Sequence, residues 1–307
     1  MPSFKQSWLA AVEKKNSILC AGLDPAEFSM GRTEKGEGLP KGIIKRDWIF
    51  KYIEAVAPYV AAIKPNFQYF KAPSGFSAAN KSDLDTLVET VDMAHARGLV
   101  VIEDSKLADI GSTNDAGLYH AQNKNMDAIT FSPFAGNMEE ASNQAHARGL
   151  GLISMCLMSN KEYEREKNKL VPVPEIMNDK VNTYFKSDIQ MIKGEAHLKQ
   201  YLQLAYDAKR FGIDGIVVGA PSSKNHIKGE EIKNIRIYVG NEMLVLVPGI
   251  GAQGGEISSL SKYFNSKNII ANVGRALMFP NGAYSTPEQQ AEAAKQYKEM
   301  LNNLRVA

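Results

Sequence analysis

Short apolar runs, each the length of a buried strand, recur along the chain and alternate with stretches that carry the spacing of amphipathic helices. The runs fall at residues 17–24, 61–65, 100–106, 128–131, 150–158, 215–220, 243–248 and 269–273. Between them, Trp48, Ile49, Tyr52, Ile53, Val56 and Val60 keep a helical period, as do Leu84, Leu87, Val88 and Val91. Further helices are predicted from Gly136 to Arg148, from about Leu198 to Arg210 and from Thr286 to Arg305, the last with Pro287 in its first turn. The six residues from Ala94 to Leu99 return letter for letter from Ala145 to Leu150, and in both copies a helix tail meets glycine and then an apolar run. Two regions break the alternation. Residues 25–45, rich in glycine and charge, read as a long loop, and the charged residues 160–193 read as an irregular insertion.

Eight strands alternating with helices in one chain of 307 residues predict a single-domain (β/α)8 TIM barrel over residues 1–307, with a doubly wound open sheet as the structural alternative. No G-x-G-x-x-G opens the first β/α unit, which argues against dinucleotide binding. The chain carries 36 basic and 34 acidic residues, a net charge of +2 that gives no support for a nucleic-acid or membrane-surface partner. Cys20 and Cys156 sit in apolar runs without metal-ligand spacing, which suits reduced thiols and a cytoplasmic setting. Residues 1–10 lack the apolar core of a signal peptide, and no run reaches the length of a membrane helix. The five histidines show no ligand spacing and read as helix-surface or satisfied core residues.

The chemistry concentrates where the apolar runs end. Asp24 ends the first strand, Lys64 the second, and Asp104 and Lys106 the third, with Asp109 just beyond. Asp104 and Lys106, two residues apart on a strand, share one face. Buried charges require partners, and a lysine among carboxylates is kept as the ammonium, suited to donating a proton and unsuited to forming a Schiff base. Four glycines in seven residues follow the seventh strand, in the stretch 249–255 that holds Gln253 and Gly254, and Gly274-Arg275 follows the eighth. Loops in those two places are the usual phosphate site of this barrel, with backbone N–H groups and an arginine fork as donors.

The combination Asp104-x-Lys106-x-x-Asp109-Ile110-x-x-Thr113 resembles the signature of the orotidine 5'-phosphate decarboxylase family. Leu23-Asp24, Ile63-Lys64-Pro65, the 248–255 loop and Val273-Gly274-Arg275 match the same family in the same order, over about residues 17–279. The loop after Asp24 and the 160–193 segment are longer than in compact members. The resemblance implies a cofactor-free, metal-free decarboxylase acting on orotidine 5'-monophosphate. Lys106 would donate a proton to C6, Asp104 would lie beside the substrate carboxylate, and Lys64 would hold the ribose and the charge array. Asp24 would bind ribose hydroxyls, Ser159 would read the pyrimidine, and Gln253, Gly254 and Arg275 would hold the phosphate. It also implies a homodimer in which Asp109 and Thr113 serve the neighbouring subunit.

Two alternatives stand beside this expectation. Magnesium-dependent sugar-phosphate decarboxylases and aldolases of the same superfamily also carry D-x-K-x-x-D, but place a metal-binding acid where this chain has Lys64, and lysine is a poor magnesium partner. A catalytically silent phospho-ligand binder on the same barrel is the other. Asp127 and Asp214 each precede a strand and are assigned to the stability face, away from the site.

Overall fold

Apolar runs buried on both sides become parallel strands, because only a sheet with both faces covered can hide them. The computed structural model describes residues 2–31, 36–73, 82–178, 186–250 and 258–306. The first five strands are β1 (Leu19–Leu23), β2 (Ala62–Pro65), β3 (Val100–Leu107), β4 (Ala128–Phe131) and β5 (Gly151–Leu157). After β6 (Leu170–Pro172), β7 (Gln190–Ile192) and β8 (Glu195–Lys199) come β9 (Gly215–Val218), β10 (Leu244–Val247) and β11 (Ile269–Val273). Eight of these close into a parallel barrel in the order β1-β11-β10-β9-β5-β4-β3-β2, as the alternation predicts. Leu19 pairs with Ala271 and Ala21 with Val273 to seal it. The seam needs glycine: a Cβ at Gly22 would lie 2.9 Å from the Gly274 Cα.

Helices α2 (Lys45–Val56), α3 (Asp83–Ala96), α4 (Gly111–Asn123) and α5 (Met138–Ala147) link the first five strands. Each turns an apolar stripe inward, with Ile49, Ile53, Leu87, Val91 and Leu118 fully buried. Ahead of the barrel, α1 (Phe4–Lys15) starts in a capping box between Ser3 and Gln6. Trp8 on α1 is fully buried and donates its indole N–H to the Lys267 carbonyl at 2.8 Å.

The 160–193 segment is more ordered than its composition suggests. It holds α6 (Tyr163–Lys167), and β6, β8 and β7 form a separate antiparallel sheet beside the barrel. Leu198, expected in a helix, lies on β8, and α7 (Gln200–Arg210) begins two residues later. Val173, Ile176, Ala196 and Leu198 are buried, and they supply this sheet with its own apolar contact. Helices α8 (Gly229–Val239), α9 (Ser258–Ser261), α10 (Arg275–Met278) and α11 (Pro287–Val306) complete the helical layer.

The repeated hexapeptide has a structural counterpart. Asp127 accepts from the Val101 N–H at 2.7 Å and lies 3.0 Å from His95 Nε2. Asp214 accepts from the Leu152 N–H at 2.9 Å and lies 2.9 Å from His146 Nε2. Each acid thus ties the start of a strand to the histidine at a preceding helix end, at the face away from the strand C-termini. The bond from Asp127 raises the His95 pKa, with burial opposing it. A raised folded-state pKa gives stability that is fully present below about 6.5 and lost as pH rises through the folded value. In chemical denaturation, His95→Gln is expected to be less stable than the parent by roughly 0.5–1 kcal/mol at pH 6, since the pair is one-third exposed, with the deficit narrowing by pH 8.5. A deficit independent of pH would show that the pair contributes no charge interaction.

Candidate active site

The C-terminal ends of β1, β2, β3 and β11 carry polar side chains into one cavity of about 360 Å³. Alternation along β3 divides its charges. Glu103 pairs with Lys124, just past α4, at 2.5 Å, so it points to the helical layer. Asp104 points the other way and bridges two lysines: Lys64 reaches one carboxylate oxygen and Lys106 the other. Lys64 and Asp104 are both buried, while the Lys106 side chain is half exposed at the cavity mouth. Burial opposes the charged form of Asp104, but the two ammonium groups outweigh it and hold its carboxyl at about 2. Burial likewise opposes the Lys64 ammonium, and Asp104 and Asp24 together overcome it and raise its pKa.

The backbone beneath this array departs from a regular strand. The pairing of β3 with β4 shifts register between Glu103 and Leu107, and Lys106 has φ of 52°, in the left-handed region. Such a conformation costs a lysine roughly 1–3 kcal/mol and persists only where its surroundings enforce it. Thr130 on β4 does so: its hydroxyl accepts from the Lys106 N–H at 3.0 Å and donates to Asp104 Oδ1 at 3.2 Å. One hydroxyl therefore fixes both the carboxylate and the strained residue that pairs with it.

Of the residues singled out in the sequence, Asp24, Lys64, Asp104, Lys106 and Arg275 line this one cavity. Asp109 and Thr113 do not. Both are exposed, and they line a larger, more apolar cavity of about 790 Å³ on the outer side of β3. That cavity lacks Lys64, Asp104 and Arg275, so the smaller one holds the charge array despite its size. Asp109 is fixed by Asn114, which accepts from its N–H at 3.1 Å and donates to its carbonyl at 2.6 Å. Ser159 stands two residues past the end of β5, against Gly219 at the rim. Gln253 and Gly254 lie outside the described residues.

Sequence reasoning misses three participants. Thr130 is one, Asn272 on β11 is another, and the third is Glu37, whose carboxylate accepts from Arg275 Nη1 at 2.7 Å. The signal for Thr130 and Asn272 is a polar residue inside a buried apolar run, which demands a partner. Asp24 Oδ1 and Asn272 Oδ1 are buried in the cavity without a hydrogen-bond partner among the described residues. Two orphaned acceptors in one polar cavity mark a place for the donors of a ligand, such as hydroxyl groups. No group of three metal-ligating side chains occurs among the described residues.

Fold and mouth together define a class: a β/α barrel whose strand ends gather alternating ammonium and carboxylate groups beside an arginine that follows the last strand. Within that class, the model of the orotidine 5'-phosphate decarboxylase / HUMPS family matches residues 17–294, and the chain belongs to this family. The orotidine 5'-phosphate decarboxylase of Cupriavidus metallidurans is 29% identical over 312 residues, covering 99% of each chain. Among solved structures, Leishmania donovani OMP decarboxylase superposes with a TM-score of 0.68 at 22% identity, over 100% of both chains. Leishmania donovani UMP synthase superposes at 0.71 with 24% identity, where all of this chain covers 57% of that one. These two likenesses show the barrel fold.

Proposed function

We propose that the chain decarboxylates orotidine 5'-monophosphate to UMP without a cofactor. The Lys64–Asp104–Lys106 array beside the two orphaned acceptors carries this reading. In the proposed reaction the bond from C6 to the carboxylate breaks and its electron pair stays on C6. CO2 leaves, and a Lys106 N–H proton passes to C6, after which the lysine regains a proton from solvent. An ammonium fixed at the developing negative charge stabilises it without reorganisation and then quenches it. Asp104 holds that ammonium in place and crowds the substrate carboxylate, while Lys64 keeps Asp104 ionised.

Asp24 accepts from ribose hydroxyls, and Arg275, with Gln253 and Gly254, holds the phosphate, whose binding energy orients the distant ring. Ser159 reads the pyrimidine from the rim. Asp109 and Thr113 act in a neighbouring subunit of a homodimer; their exposure, in a cavity that shares only Lys106 with their own charge array, supports that arrangement. Two buried, unpaired cysteines support a reducing, cytoplasmic setting.

The test is the loss of pyrimidine absorbance on mixing the protein with orotidine 5'-monophosphate, with and without EDTA. Turnover undiminished by EDTA is expected. Turnover that requires added magnesium would favour the sugar-phosphate relatives of the superfamily, and no turnover in either case would leave a phospho-ligand binder.

A further inference from the structure

The arginine after the last strand already has an anion in its grip. Glu37 Oε2 accepts from Arg275 Nη1 at 2.7 Å, and both side chains are about two-thirds buried, at 27% and 35% exposure. Glu37 is anchored from both sides. Two residues on, Leu39 is buried at 1% exposure and donates its N–H to the Ala26 carbonyl at 2.8 Å. One residue earlier, Gly36 lies beside the 282–283 turn, where a Cβ would sit in ordinary contact, 3.7 Å from the Gly282 Cα. The carboxylate is therefore carried over the cavity by fixed points and does not hang from a free side chain.

The charge balance gives this contact a consequence. Lys64, Lys106 and Arg275 line the cavity as cations, and Asp24, Glu37 and Asp104 as anions, so its described lining is neutral. A dianionic ligand entering this space gains only if one carboxylate yields its cation. Asp104 is bound by two buried or half-buried lysines and Asp24 stands at the ribose end, whereas Glu37 has the one partner that a phosphoryl group would take.

We propose that Glu37 is an internal competitor for the anion site: a tethered carboxylate that occupies Arg275 until the phosphoryl group of the ligand displaces it. A singly charged anion gains little by trading places with a carboxylate, while a phosphate dianion has the charge to displace it. The contact thus sets the charge that an incoming anion needs in order to reach Arg275, leaves nucleosides unaffected, and returns to Arg275 as product leaves. This inference rests on reading the cavity as a phosphate-ester site.

The experiment is isothermal titration of the full-length protein, of Glu37→Gln, and of both in an Arg275→Ala background, with UMP, inorganic phosphate and uridine. Removing the competitor is expected to tighten UMP and inorganic phosphate by about fivefold, the scale of one part-exposed ion pair, and to leave uridine unchanged. In the Arg275→Ala background the Glu37 effect disappears. Weaker UMP binding by Glu37→Gln would mean that Glu37 only aims the arginine, and an unchanged affinity or an equal shift for uridine would mean a structural contact; each overturns the proposal. Tighter phosphate binding by Glu37→Gln in a protein without decarboxylase turnover would keep this inference and remove the decarboxylase reading. Ordinary turnover with no Glu37 effect would do the reverse.

Discussion

Replacing Lys106 with alanine is expected to lower kcat/KM for orotidine 5'-monophosphate by roughly 10⁴-fold or more, while UMP still binds within about threefold of the parent. The size follows from two losses at one atom. A positioned proton donor contributes about 10²–10⁴, and a preorganised charge at a developing anion about 10²–10³. No other described ammonium can substitute: Lys64 is buried and held by Asp104. An arginine at 106 is not expected to restore activity, because guanidinium does not give up a proton at accessible pH. Binding survives because the groups proposed to hold ribose and phosphate, Asp24 and Arg275, are carried by other strand ends. Turnover and UMP titration of the same preparation decide the matter. Activity within tenfold of the parent would remove Lys106 from the reaction.

The second large effect is expected at Asp104, and it reaches stability as well as rate. Asp104→Asn leaves the buried Lys64 without its ion-pair partner, with only the Asp24 charge to offset it, and Lys106 without the group that aims it. Removing one partner of a buried ion pair costs about 3–5 kcal/mol, so the variant is expected to unfold at markedly lower urea concentration at pH 7. Its pH dependence has a fixed sign. The folded-state value, about 2, lies below the ordinary aspartate value near 3.9, so the carboxylate contributes stability that is fully present above about pH 4 and lost as pH falls through 2. The parent should therefore lose an acid-sensitive component that the asparagine variant never had, and the two denaturation midpoints should converge between pH 4 and pH 2. Parallel curves over that range would mean that the array is not held by this charge.

Much of this site is legible in the amino-acid sequence, for a physical reason. Strands of a closed parallel barrel are covered on both faces, so they appear as uninterrupted apolar runs, and a charge at the end of such a run stands out. Asp24, Lys64, Asp104 and Lys106 are visible in that way. Simple pleat alternation leads one to expect the pairing of Asp104 with Lys106, yet it forms over a shifted register with Lys106 in a left-handed conformation. That strain is invisible in the sequence because it depends on Thr130, which there is only a β-branched residue in a strand. Glu37 is hidden because a long loop has no periodicity to say which of its charges faces inward. The small sheet of β6, β7 and β8 is hidden because its strands are three to five residues long and largely exposed, so neither length nor alternation marks them. Helix α1 carries a clearer mark than the expected elements credit: Phe4, Trp8, Ala11 and Val12, the buried stripe, keep a helical spacing behind a serine cap.

The seam between β1 and β11 imposes an order on how the site comes into being. Lys64, Asp104, Lys106 and Thr130 belong to β2, β3 and β4, which follow one another closely along the chain and pair side by side. Asp24 and Arg275 stand on either side of the seam, and they meet only when the first and last strands of the barrel pair through Leu19 and Ala271. The residues of the lysine–aspartate array all precede β11 in the chain, whereas Arg275 follows it and cannot stand beside them until β11 is in place. Contacts so distant in sequence are slow to close. The glycine at 22 makes that closure sterically possible, so the hold on an anion is the part of the site that depends on sealing the barrel.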